Sequence, residues 1–382
     1  MPFTSMDDIV NKISSGNFKR TDWQKSFLPT TAAVGGEWHY LARGAGNPQA
    51  DAIMNTGTNL VFQPLSDTTA NVNSILHGGP VSPNYKHVTV ASAFTAAATV
   101  APCILMLVDT IGFYRVTSVT TTTAQTVTNN LAAFSTFTAD AGTDIITHTN
   151  INLMHLSRIQ VSTTTTLPGG LSAATDYYVI KVSDLTCQLA TSYANALAGT
   201  AINISDAGTG THTINTLYPR HTNGAGVQAF MYANNATPLG AGTPNLSITY
   251  TNTTAVTGRT TPTVLPIGKT AAANGLVLYS GTGAGKVGPF LPLRESDAGV
   301  ERITAVQNST SYVSGEYSVV VCKPILTLPI TTLGVMAERE FLNQLPSLPR
   351  IYDGACLNWL IYSGGNTPTN SAIYGHLDFA WG

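Results

Sequence analysis

Apolar and polar positions alternate with a period of two along most of the chain. A helical period appears clearly once, at residues 5–16. There Met6, Ile9, Val10 and Ile13 fall at i, i+3, i+4 and i+7, which places them on one helix face. Ser5 is suited to cap this helix, Asp8 stands three residues on as in a capping box, and Gly16 is placed to end it. Phe18, Trp23 and Phe27 follow among Lys19, Arg20 and Lys25. We expect residues 1–30 to form an arm with a short helix, either crossing to a neighbouring subunit or capping its own domain.

From residue 38 to about 130 the pattern predicts short strands broken by turns. His77-Gly78-Gly79-Pro80 is a sharp turn, and residues 86–90 alternate. Residues 91–108 are uncharged and apolar, contain Thr95, Thr99 and Pro102, and end at Asp109. They read as a buried strand pair rather than a membrane span, with residues 103–108 covered on both faces. Residues 131–216 differ in character. About six short strands, among them Arg158-Ile159-Gln160-Val161 and the run Tyr177 to Val182, alternate with Thr tracts and Gly-rich turns. That suffices for a small independent β module. From Leu217 the pattern of residues 38–130 resumes. Strands are expected at 247–250, 275–279 and 316–322, the last stopped by Pro324. Two more lie around Gly364-Gly365-Asn366, and the aromatic-rich end, residues 376–381, is expected inside a sheet.

Composition sharpens this all-β picture. Of 382 residues only 10% are charged, against roughly 25% in ordinary soluble domains. Thr, roughly one residue in seven, wets strand faces without charge, and 34 Gly with 20 Pro supply turns. A surface poor in long charged side chains loses little entropy on docking, which suits life inside an assembly. The net charge of −2 gives no electrostatic support for nucleic-acid binding. Residues 1–10 carry Asp7 and Asp8 and no long apolar run, so no secretory leader is expected.

Candidate chemistry is sparse. Cys103, Cys187, Cys322 and Cys356 stand far apart in apolar runs and read as buried thiols. The eight histidines, His39, His77, His87, His148, His155, His212, His221 and His376, show no ligand spacing. Gly283, Gly285 and Gly288 match a dinucleotide fingerprint literally, but Pro289 and Pro292 forbid the helix it needs. Lys286 lacks the Ser or Thr of a phosphate loop, since Val287 follows it. Arg294, Glu295, Asp297 and Glu301 form the densest charged cluster, read as a solvated turn or an inter-subunit ion pair rather than a glycosidase pair. No catalytic, cofactor-binding or metal-binding residue is assigned, and no cofactor is expected.

Two parts of the chain resemble known families. Met1-Pro2-Phe3-Thr4-Ser5-Met6-Asp7-Asp8 with Trp23, His77-Gly78-Gly79-Pro80-Val81-Ser82-Pro83, Pro289-Phe290-Leu291-Pro292-Leu293 and Asp353-Gly354-Ala355-Cys356-Leu357 resemble uncharacterised virion proteins of tailed phages. Leu167-Pro168-Gly169-Gly170-Leu171, Asp176-Tyr177-Tyr178-Val179 and Gly208-Thr209-Gly210-Thr211-His212-Thr213-Ile214 resemble a β module that recurs as an insertion in phage structural proteins. The resemblance implies a jelly-roll-like or β-sandwich base (31–130 and 217–382) with an inserted, projecting module at 131–216. Relatives of the outer family would pass from the equivalent of Asn130 nearly straight to Leu217-Tyr218-Pro219-Arg220.

The expected function is therefore non-enzymatic: a capsid cement or decoration protein on the phage particle, assembled in the host cytoplasm. Its partners would be the major capsid protein or other virion proteins, with a homotrimer favoured and neither nucleic acid nor membrane bound. The alternative is a tail, baseplate or host-glycan-binding component in which Tyr177, Tyr178 and Tyr193 stack on sugars, unless they are strand core. The major shell protein is disfavoured, because the pattern holds neither a long spine helix nor a charged extended loop.

Overall fold

The computed structural model describes residues 3–26, 35–54, 56–70, 72–97, 100–234, 239–240, 242, 244–262, 277–278, 288–344, 348–366 and 371–382. The expected helix is present as Met6–Ser14, with the Ser5 hydroxyl accepting from Asp8 N at 3.1 Å. The other half of the box is shifted by one residue, since the Asp8 carboxylate accepts from Thr4 N at 3.0 Å. Ile9 packs on Phe3 and Ala380, with Ile13 beside them. Met6 and Val10, expected on the same buried face, stay exposed, because only one side of this helix meets the sheet.

The fold is all-β, and its ladders are antiparallel. The first sheet runs in the order Ala337–Glu340, Lys86–Thr95, Ala372–Trp381, Phe18–Ser26, Gly46–Asn47. Residues 18–26 of the expected arm are thus taken into the chain's own sheet. Phe18–Ser26 pairs with Ala372–Trp381 along its whole length, which also seats the C-terminal strand centrally. Phe27 lies outside the described residues. The second sheet runs Gln228–Ala233, Tyr317–Ile330, Cys103–Val116, Leu357–Ser363, Glu37–Tyr40. The third holds Arg259–Thr260, Leu246–Asn252, Val300–Asn308 and Gln125–Thr126.

Two long strands, Cys103–Val116 and Tyr317–Ile330, serve two apolar cores. Cys103, Leu105, Leu107, Leu326, Leu328 and Ile330 pack with Trp23, Val88, Trp359 and Phe379 against the first sheet. Beyond the middle, Ile111, Phe113, Val319 and Val321 pack with Ile248, Tyr250, Ile303 and Val306 of the third. The second sheet is therefore shared by two sandwiches. This corrects two expectations. Residues 91–108 supply strands to two facing sheets rather than a hydrogen-bonded pair. Residues 103–108 are covered on both faces only from Leu107 onward, with Ile104 39% exposed.

Pro324 does not stop its strand. Gln228–Ala233 covers the outer edge of Tyr317–Ile330 only as far as Cys322. Past that point no further strand pairs with this edge among the described residues, and the register slips between Pro324 and Leu326. A free edge with a bulge is where a residue lacking N–H is tolerated. Of the strand expected at 275–279, only Val277 and Leu278 are described; Val277 forms an isolated bridge with Tyr232, and both are buried.

The six strands expected at 131–216 close into a barrel: Ala132–Asp140, Ile145–His148, Tyr177–Lys181, Thr186–Ala190, Arg158–Thr163 and His212–Thr216. Its core is its own, built from Phe137, Ile146, Ile159, Val161, Val179, Leu189 and Ile214. One element was not expected, the five-residue helix Tyr193–Leu197 capped by Ser192. The barrel's first and last paired residues, Ala132 and Thr216, sit opposite each other, so the chain leaves the sandwiches and returns at almost the same point.

Two outcomes follow from this packing. Gly375 lies where a Cβ would stand 2.0 Å from Ser92 O and 2.8 Å from the Trp23 ring. Gly375→Ala should therefore destabilise the protein by about 3 kcal/mol, read by chemical denaturation. Replacing residues 131–216 with a two-residue turn should leave a chain that still unfolds cooperatively by circular dichroism. A molten product would show that the barrel is required to build the sandwiches.

Candidate functional site

The charged cluster at 294–301 divides: Arg294 and Glu295 are exposed and 3.1 Å apart, as a solvated turn would have them, whereas Asp297 and Glu301 turn inward. Asp297 accepts from Tyr250 Oη at 2.6 Å, Asn252 Nδ2 at 2.7 Å and Arg259 Nε at 2.9 Å. Burial would raise its pKa, but these donors outweigh that and hold it below the usual carboxylate range. Glu301, buried on Val300–Asn308, lies 2.9 Å from Arg158 Nε of the barrel. Burial raises the Glu301 pKa against the pull of Arg158 and Arg302. This pair fastens barrel to sandwich, as do Met154 N and the Ser157 hydroxyl, which bond Thr222 Oγ1 at 3.1 and 2.6 Å. Two acids so committed do not face each other across a cleft.

The tyrosines divide. Tyr177 is barrel core, and its hydroxyl accepts from Ser172 N at 2.7 Å. Tyr178 is half-buried between Arg158 and an edge-on Tyr193. All four cysteines are buried free thiols, and burial raises the pKa of each. Among the described residues no group of three or more His, Cys, Asp or Glu is placed to hold a metal. Gly283, Gly285, Lys286 and Val287 lie outside the described residues.

The strongest buried constellation is one that sequence reasoning missed. On its Leu357–Ser363 side, Cys103–Val116 changes partner. Leu357–Ser363 pairs with it only up to Asp109, and Phe62–Pro64 takes over from Gly112. On the other side Ile111 is an extra residue, because Val321 faces Gly112 and Cys322 faces Thr110. Arg220 fills the break. Its guanidinium grips the Asp109 carboxylate through two nitrogens, Nε at 2.7 Å, and donates to Leu65 O and Thr110 O, each at 2.6 Å. Cys356 N and His221 Nε2 complete the Asp109 carboxylate at 2.9 and 3.1 Å. Burial works to raise the Asp109 pKa, but Arg220 and His221 prevail and hold it well below its ordinary value. Burial lowers His221, with Asp109 opposing. The only hint in the sequence is an Asp ending an apolar run.

A second buried cluster sits under the His77-Gly78-Gly79-Pro80 turn, where Gly78 and Gly79 take φ of +92° and +71°. Lys86 Nζ donates to His77 Nδ1 at 2.9 Å and to Gly79 O, and His77 Nε2 lies 3.2 Å from Asp67. Burial pulls the Lys86 pKa down to about 8. The Asp353 carboxylate accepts from Val81 N and Ser82 N at 2.9 and 3.1 Å. Two stretches that carried the family resemblance therefore lock onto each other.

The surface also carries apolar and hydroxylic groups. Leu333, Val335 and Met336 are 43%, 57% and 47% exposed in the loop between Tyr317–Ile330 and Ala337–Glu340. Met336 shares a cleft with Phe94 and Tyr374, whose rings stack at 5.3 Å on the outer face of the first sheet. On the barrel, Thr136, Thr138, Thr147 and Thr149 line a cleft of about 530 Å³ with His148 and His212. No acid lines it.

No family model matches the chain, and no curated protein matches it. Among solved structures it overlaps the VP2 subviral particle of infectious bursal disease virus at 11% identity and TM-score 0.14, covering 79% of this chain and 83% of that one. The T=1 particle derived from the same virus overlaps at 12% identity and TM-score 0.16, covering 79% and 80%. At such scores the overlap carries no argument.

Asp109→Asn leaves Arg220 buried without its counter-charge and should cost about 3–5 kcal/mol, measured by denaturant unfolding. The Asp109 pKa is depressed in the folded state, so its contribution is complete above the ordinary carboxylate pKa of about 4 and is lost as pH falls below it. The stability gap between wild type and Asp109→Asn should therefore narrow in acid; a gap that stays constant down to about pH 2 would contradict the assignment.

Proposed function

We propose that this chain is a virion structural protein of a tailed phage, a cement or decoration subunit that stabilises a shell through protein contacts and carries out no reaction. One observation carries the reading: Leu333, Val335 and Met336 stand exposed on one loop, and Met336 shares a cleft with the stacked rings of Phe94 and Tyr374, with Asp22 at its rim. Patches of this kind mark protein–protein contact sites. The internal engagement of Asp109, Asp297, Glu301, Glu316 and Asp378 by arginines supports the same reading, since it removes acids from the inventory of potential catalysts. A homotrimer on the particle surface, bound to the major capsid protein, is the arrangement we favour by analogy with shell-binding proteins seated among hexamers.

The Thr-lined cleft on the barrel favours a second reading, a tail or baseplate component that binds host glycans. Uncharged hydroxyls around an open concave surface suit sugar hydroxyls, although no exposed aromatic platform lines this cleft.

Quantifying the chain in purified particles separates the two. Hundreds of copies support cement, a dozen or fewer support the tail, and absence from particles overturns both. Val335→Asp combined with Met336→Glu should abolish particle association with an unchanged melting temperature. Undiminished association of that variant would remove the patch as the contact.

A further inference from the structure

A cavity of about 280 Å³ lies where barrel, return segment and second sheet meet, and its lining is cationic. Lys323, Arg350 and His221 line it together with Met154, Pro324 and Tyr352, and no lining residue is acidic. This is unusual in a chain where several other arginines meet carboxylates. Arg20, Arg115, Arg158, Arg220 and Arg259 are each paired with one, whereas Lys323 and Arg350 have none among the described residues. Asp184, within electrostatic reach of Arg350, is held by Lys181 at 3.0 Å, and Asp109 stands behind His221 and is bound to Arg220.

Arg350 is fixed by something other than an anion. Its guanidinium lies 4.1 Å from the Tyr85 ring centroid and 4.2 Å from that of Tyr352, clamped by two aromatic faces. Its Nε is buried and has no hydrogen-bond partner among the described residues. His221 packs edge-on against the same Tyr352 at 4.5 Å. Lys323 Nζ donates to Ala225 O at 2.7 Å, and an ammonium has three donors to place. Burial lowers its pKa, a cost that a bound negative charge would offset.

We propose that this cavity is an oxyanion-binding site in which Lys323 and Arg350 hold a phosphate- or carboxylate-class group. The guanidinium is preorganised with its Nε unsatisfied, which suits it to a planar or tetrahedral oxyanion. The occupant would tie the barrel, through Met154, to the strand carrying Lys323. The site does not depend on the virion reading, and its failure would leave that reading untouched.

The test uses the full chain and inorganic phosphate, with chloride at matched ionic strength as reference. Phosphate should raise the melting midpoint saturably and broaden its own phosphorus resonance. Lys323→Gln and Arg350→Gln should each weaken this by about tenfold or more. Lys12→Gln, on the N-terminal helix, should leave it unchanged. If Arg350→Gln does not fold, Lys323→Gln decides alone. Displacement of phosphate by acetate would point to a carboxylate from a neighbouring chain as the occupant, and indifference to acetate would point to free phosphate; either upholds the site. A phosphate effect no larger than that of chloride, or one equal in Lys323→Gln, overturns it.

Discussion

The architecture depends on how Cys103–Val116 survives a break in its pairing. A strand crossing from one sandwich core to the next has to exchange one neighbour for another, which leaves carbonyls without ladder partners in the interior. Arg220 supplies the missing donors to Leu65 O and Thr110 O, and Asp109 neutralises it. A buried ion pair adds little net stability over an apolar filling, but removing one partner is costly. The pair is best understood as setting where the strand changes partner, and so where the two cores divide.

Arg220 also follows directly on the return of the chain from the barrel. The segment Leu217-Tyr218-Pro219-Arg220 delivers Leu217 and Tyr218 to a sandwich core and Arg220 to the break. The barrel is closed, has its own core and begins and ends at one pair, Ala132 and Thr216. It is nonetheless held by Glu301 with Arg158 and by Thr222 with Ser157, so it is fastened at its base. Charge-assisted and hydroxyl contacts thus anchor a unit that does not share the sandwich cores.

Few charges and many hydroxyls lead to two kinds of surface. Several arginine–carboxylate pairs bury the carboxylate and connect elements distant in sequence, as Arg20 with Asp378 and Arg115 with Glu316 do. Facing outward are a Thr-lined cleft on the barrel and the exposed apolar side chains of Leu333, Val335 and Met336. The cavity of Lys323 and Arg350 departs from this pattern, since its cations have no acidic counterpart in its lining.

The sequence by itself determined the class of fold, the helix capped by Ser5, the six strands of residues 131–216 and the burial of the four cysteines. Each of these is written in local periodicity, capping chemistry or turn residues, which act over a few positions. Tertiary structure alone decided that Pro324 would be tolerated, because a free edge depends on where Gln228–Ala233 ends. It alone turned Asp297 and Glu301 inward, took residues 18–26 into a sheet with the far end of the chain, and brought Asp109 to Arg220 across 111 positions. Pairings between residues so far apart leave no periodic trace, because a single charged residue in an apolar run looks the same whether it ends a strand or anchors two cores.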